Sequence, residues 1–158
     1  MSAVIRLDNP PVVHLHPGQI FIAGEPTTVM TILGSCVAVC LWDPLAKIAG
    51  INHFLLPSIP ASSAKDARYG NTAMQKLVDE IVAHGASKPR LMAKVFGGAN
   101  VILAFVPKKP IGTQNVEIAR EILGKNGIEI VAEQTGGRHG RKLHFDTATG
   151  AVRVKELG

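Results

Sequence analysis

A seven-residue apolar run, Cys36 to Trp42, ends at Asp43-Pro44 and is followed by a second apolar stretch, Ile48 to Leu56. No other feature constrains the fold as much. A continuous run of that length, bounded by turn residues, reads as a strand buried on both faces. Asp-Pro is a strong turn signal, so the two stretches read as a hairpin. A turn with Pro44 and Leu45 at its centre pairs Asp43 with Ala46 and, seven steps out, Cys36 with His53. A loop one residue longer or shorter would bring Asn52 or Phe54 opposite Cys36 instead.

The rest of the chain supplies further strands and two helices. Val12-Val13-His14-Leu15, Gln19 to Ala23 and Thr28 to Leu33 read as strands of the N-terminal third. The small, polar stretch Ser58 to Gly70 reads as a surface loop. A helix then follows with Asn71 as its N-cap. Met74, Leu77, Val78, Ile81 and Val82 fall at helical spacing, and Gly85 sits just past the end. Leu91 to Phe96 is expected to be a strand stopped by Gly97-Gly98. Val101 to Val106 is a further apolar stretch. A second helix takes Thr113 as N-cap and ends at Gly127, with Val116, Ala119, Ile122 and Leu123 on its apolar face. Ile128 to Ala132 is a strand. Leu143 to Phe145 and Val152 to Val154 form a closing hairpin around Thr149-Gly150. Many strands and two helices, without a regular β-α alternation, predict an α+β fold with mixed or antiparallel sheets.

The chain has 158 residues, which suits one domain over residues 1–158. Apolar residues make up 46% and charged residues 18%, which excludes a disordered chain. No run approaches the roughly 18 apolar residues of a membrane span. The first eleven residues carry Arg6 and Asp8 and no apolar segment of the secretory type, so a cytoplasmic protein is expected. The net charge of +5 is modest, aromatics are 4%, and no nucleic-acid-binding motif is present. The densest basic stretch, Arg138 to Lys142, reads as a solvated loop or a site for an acidic partner.

Chemistry concentrates on few side chains. The two cysteines, Cys36 and Cys40, lie roughly 13 Å apart if both are on one strand, too far for a disulfide. They are expected to be free thiols. A thiol beside an imidazole is the minimal unit of cysteine nucleophilic catalysis, and backbone N–H groups after Gly34 suit an oxyanion. Spacing alone leaves two readings of Cys36 open, a nucleophile or a small core residue. Cys40 reads as core. His14 and His16 form a weak metal-binding pattern. His84 closes a helix, and His139 and His144 read as surface groups. Gly97-Gly98 and Thr135-Gly136-Gly137 match no phosphate-binding motif; they read as strand-end turns, and a place beside the cleft is the other reading.

Thr31-Ile32-Leu33-Gly34-Ser35-Cys36-Val37-Ala38-Val39-Cys40, Asp43-Pro44, and Gly50 to Pro57 with His53 closely resemble the CheD family of chemoreceptor glutamine deamidases. The resemblance continues through Arg68 to Met74, Phe96-Gly97-Gly98-Ala99, Ile111-Gly112 with Asn115, and Thr135-Gly136-Gly137 with Gly140-Arg141. It implies conversion of receptor glutamines to glutamates with release of ammonia, and for some members hydrolysis of glutamyl methyl esters. It implies Cys36 as nucleophile, His53 as its partner, and a threonine shortly before as third member. Thr31 is the nearest candidate, with Thr28 and Thr27 further back. It also implies no metal or organic cofactor, a fold similar to the bacterial cytotoxic deamidase toxins, and chemoreceptor helices as substrate. A CheC-type phosphatase is an implied partner. No nucleic acid and no membrane insertion are expected, and a monomer is the expected state. Two other readings stand beside this one: an adaptor with secondary catalysis, and a cysteine hydrolase of small amides or esters.

Overall fold

The computed structural model describes residues 9–58, 66–100 and 108–158. The apolar stretch expected over 101–106, and residues 59–65 of the expected loop, lie outside these. The described elements are β1 (Val12–His14), β2 (Ile20–Ala23), β3 (Thr28–Leu33), β4 (Val37–Asp43), β5 (Ile48–Asn52), α1 (Gly70–Ala83), β6 (Met92–Gly97), α2 (Ile111–Lys125), β7 (Glu129–Thr135), β8 (Arg141–Asp146) and β9 (Val152–Glu156). They form two mixed sheets, as the α+β expectation required. One has the order β1-β3-β8-β9, the other β2-β5-β4-β6-β7. No described helix is long and apolar enough to cross a membrane.

The β4 run is buried along both faces because each face meets a different layer. Val37, Val39 and Leu41 join α1, α2 and their apolar stripes in one core cluster. Ala38 and Cys40 join Val29, Leu33, Leu143 and Phe145 of the first sheet in the other. The second sheet is therefore the middle layer, with helices on one side and the four-stranded sheet on the other. In α1, Ala73, Met74, Leu77, Val78 and Ile81 are buried at helical spacing. Each large apolar side chain buried there contributes about 1.5–3 kcal/mol.

Neither helix uses its expected cap. The N-cap of α1 is Tyr69 and that of α2 is Pro110; Asn71 and Thr113 lie inside the helices. Backbone carbonyls do the work at α1, where Gly70 and Asn71 donate to Leu56 and Pro57.

The β4–β5 hairpin also departs from expectation. Its loop is Pro44 to Lys47, two residues longer than the turn arithmetic assumed, and Asp43 pairs with Ile48. Asp43 explains the length. Its buried carboxylate accepts the N–H groups of Leu45 and Ala46 inside the loop, that of Ser87, and the guanidinium of Arg90. Burial alone would raise its pKa, but these donors together hold it well below the usual carboxylate range. Lys47 closes the loop at φ +55. The register continues beyond β5, where Val37 pairs with Phe54. Cys36 is thus not directly opposite His53. A slip of two residues preserves the face, however, because side chains alternate with period two. Cys36 and His53 stay on the side of the sheet occupied by Cys40 and Ile51.

Candidate functional site

Cys36 precedes β4 by one residue, at the end of the Gly34-Ser35-Cys36 connection from β3. All three of its carbonyls are held. Ala99 N–H donates to Gly34 O at 3.0 Å, and Gly98 N–H to Cys36 O at 2.9 Å. The Asn115 amide, from α2, donates to Ser35 O and to Leu55 O, both at 2.9 Å. Asn115 is fully buried, so one side chain ties the cysteine loop to the strand segment after His53. The loop is therefore fixed through its backbone carbonyls.

Gly97-Gly98 is a close-packed support rather than a bare turn. Gly97 has φ +107, and a Cβ there would fall 2.2 Å from Cys36 O. Arg141 in turn steadies Gly97 and Gly136 by donating to their carbonyls. Arg141 is 7% exposed, which corrects the reading of the whole 138–142 stretch as a solvated loop.

His53 follows β5, with its ring on the inter-sheet face and only 2% exposed. Thr31 comes from β3 of the facing sheet, inward between Val29 and Leu33. Its hydroxyl lies 2.8 Å from Leu15 O and 2.7 Å from His53 Nδ1. A carbonyl only accepts, so the Thr31 proton goes to Leu15 O. His53 Nδ1 must then carry a proton and donate it to Thr31 Oγ1. That fixes the tautomer: Nε2 is the basic nitrogen. Nε2 is buried and without a hydrogen-bond partner among the described residues. Of the three threonines considered, Thr31 is the one on the ring. Thr27 Oγ1 donates to Glu25 O, while Thr28 joins Pro11 through its backbone N–H.

Continued one residue beyond Val37–Phe54, the register sets Cys36 diagonal to His53, a relationship that in regular strands places Cα atoms about 7–8 Å apart. Burial, helped by the charge of His16, lowers the His53 pKa to about 4. Burial raises the Cys36 thiol above its ordinary value, against a smaller opposite effect from its own backbone N–H. The resting pair is therefore a thiol and a neutral imidazole, rather than a thiolate–imidazolium pair. Such a pair transfers its proton as the nucleophile attacks.

A cleft of about 280 Å³ reaches His53 and Thr31 from the surface, between Leu15-His16, Ile32 and Lys142. His14 and His16 border it. Among the described residues no three His, Cys, Asp or Glu side chains group as a metal site. Cys40 is in the core, and burial pushes its thiol far above the ordinary range. Both cysteines are free. His84 Nδ1 donates to Glu80 O at the end of α1. His139 is exposed and His144 half-buried. Spacing alone does not single out the supports, Asn115 and Arg141, because their partners are backbone carbonyls, all but that of Gly136 far away in sequence.

The family described as CheD chemotactic sensory transduction matches residues 55–156. A protein of Anaeromyxobacter dehalogenans, described as "Probable chemoreceptor glutamine deamidase CheD 1", is 47% identical over 145 residues, 92% of this chain and 84% of that one. A stretch that long takes in residues 31–53 wherever it starts. A "Probable chemoreceptor glutamine deamidase CheD" of Stenotrophomonas maltophilia is 46% identical over 143 residues, 90% of this chain and 72% of that one. Among solved structures, the Bacillus licheniformis hypothetical protein YfiH aligns with a TM-score of 0.51 at 17% identity. That alignment covers 72% of this chain and 49% of YfiH, and the likeness is one of fold alone.

Proposed function

This chain belongs to the CheD family, and on that premise we propose that it converts glutamine side chains of chemoreceptors to glutamate in the cytoplasm, acting as a single domain and a monomer. Cys36 is the nucleophile, His53 the general base and acid, and Thr31 the residue that positions the His53 ring. The observation that carries this reading is the Thr31 hydrogen-bond pair, because it leaves Nε2 as a free base on the face shared with Cys36.

The steps follow from those groups. His53 Nε2 takes the Cys36 proton as sulfur attacks the amide carbon. The carbonyl π bond opens to an oxyanion, which backbone N–H groups of the Cys36 loop receive. The imidazolium gives its proton to the amide nitrogen, the C–N bond breaks, and ammonia leaves a thioester. Water then attacks that carbon while His53 takes its proton. The C–S bond breaks, the sulfur recovers the proton, and glutamate is released. A glutamyl methyl ester would enter the same thioester and release methanol.

The test is mass spectrometry of receptor cytoplasmic fragments incubated with the enzyme across pH. Site-specific replacement of amide by carboxylate is expected. With the His53 pKa at about 4, the base stays neutral far below the ordinary imidazole range, so kcat/KM should not show an acid limb near 6.5. With the thiol raised and its proton taken by His53 during attack, the rate should stay level as pH passes the ordinary thiol range. A wild type that leaves every glutamine intact would remove the enzymatic reading and leave an adaptor that binds a CheC-type phosphatase.

Thr31→Val is expected to lower kcat by about 10²-fold, the low end of what a positioned base supplies. It removes the acceptor for Nδ1–H and frees the ring to take the wrong tautomer. Thr31→Ser keeps both hydrogen bonds and should retain most of the activity. Equal losses in the two variants would contradict the positioning role.

A further inference from the structure

Both described helices pack on the second sheet, so among the described residues the outward face of the first is lined by its own side chains. Its composition follows from the alternation along each strand. Val29, Leu33, Leu143 and Phe145 point inward. Met30 and Ile32 of β3, Lys142 and His144 of β8, and Arg153 and Lys155 of β9 therefore point outward. The register sets them in rows: Met30 beside His144 and His144 beside Arg153, then Ile32 beside Lys142 and Lys142 beside Lys155. Among the residues of these four strands, Asp146 is the only carboxylate on that face. Its Oδ1 already accepts Ala148 N–H.

Three properties make this face more than a solvated surface. Ile32 is 63% exposed at its centre, beside Met30, an apolar contact ringed by cations. The cations are close enough to act on one another: after burial, the charges of Arg153 and Lys142 are what lower the His144 pKa. The face is also continuous with the catalytic cleft, since Ile32 and Lys142 line both.

We infer that this face is where the polypeptide substrate docks, with Lys142, Arg153 and Lys155 receiving carboxylates that flank the target glutamine and Ile32 receiving an apolar side chain between them. The inference rests on the deamidase reading and names the chemistry of its substrate: an acidic, amphipathic segment. An exposed apolar centre with a charged rim is the composition of a protein-binding surface. A surface that binds single-stranded nucleic acid stacks bases on large aromatic rings, and the outward positions of β1, β3, β8 and β9 hold no Phe, Tyr or Trp. Charges of this kind speed encounter and select partners, so their loss should appear in substrate affinity and in its salt dependence.

The test measures steady-state deamidation of a receptor cytoplasmic fragment by the wild type, Arg153→Glu/Lys155→Glu and Lys142→Glu. Arg153 and Lys155 are exposed on the β9 strand, away from the cysteine loop, so the double variant should fold. At low salt kcat/KM is expected to fall at least about tenfold in the double variant, with the loss in KM, and the wild-type rise of KM with salt should flatten. A fragment in which carboxylates around the glutamine are replaced by lysine should recover part of the loss. An active wild type whose variants keep its KM and salt dependence overturns the docking face alone. A loss confined to kcat also overturns it. If the variants keep receptor KM but lose binding to phosphatidylserine vesicles or to a DNA duplex, the face serves another anion and the inference falls. An inactive wild type overturns the deamidase reading beneath it.

Discussion

Cys36→Ala is expected to lose more than about 10³-fold in deamidation rate while melting within a few degrees of the wild type. The first half follows from the route: without the sulfur no thioester forms, and His53 alone offers water no better electrophile than the amide. The second follows from position. Cys36 is only partly buried, and the loop that carries it is held through its backbone carbonyls, which alanine keeps. Cys36→Ser should be nearly as inactive. An imidazole whose pKa is held at about 4 takes a proton from a thiol with difficulty, and from an alcohol far less readily. Alkylation provides a second readout. Iodoacetamide should modify Cys36 in the folded protein, more slowly than an unhindered thiol, and should reach Cys40 only after denaturation, because Cys40 is 2% exposed. Substantial activity in Cys36→Ala, or equal labelling of both cysteines in the native state, would contradict the assignment.

The hairpin marks how far such a site is legible in sequence. Alternation and the Asp43-Pro44 turn lead correctly to two adjacent strands, with Cys36 and His53 close by. The exact register is not local information. It depends on Asp43, whose carboxylate gathers loop N–H groups together with Ser87 and Arg90 from more than forty positions away. Cys36 and His53 still share a face, because the slip is even. The choice of Thr31 over Thr28 and Thr27 is different in kind. Thr31 and His53 belong to different sheets, and only the packing of the two sheets brings the hydroxyl to Nδ1. The helix caps fail for a related reason: α1 borrows backbone carbonyls from Leu56 and Pro57, so no capping side chain is needed. Arg141 looks like part of a basic surface stretch. It is drawn inward, where its guanidinium donates to the carbonyl of Gly136 and joins the Gly136 N–H on that of Gly97.

Gly97→Ala should be the most damaging change that touches no reacting atom. At φ +107 an alanine is strained, and its Cβ would lie 2.2 Å from Cys36 O, a backbone atom with no rotamer to escape through. Strain and overpacking together are expected to cost about 3–5 kcal/mol, a drop in melting temperature of roughly 10 °C. The relief available is to push the Cys36 carbonyl away from Gly98 N–H, and a displacement of about 1 Å at a nucleophile is enough to lower kcat about 10²-fold. Gly124→Ala is the matched control. It lies inside α2 with nothing within 4 Å of the added methyl group, so it should gain about 0.5–1 kcal/mol and leave kcat unchanged. The pair separates a general effect of replacing glycine from a specific one on the nucleophile loop. If Gly97→Ala melts lower yet keeps the wild-type kcat at a temperature where it is folded, Gly97 supports the fold without setting the position of Cys36. If kcat falls there as well, the Gly97-Gly98 support is part of what makes Cys36 a nucleophile.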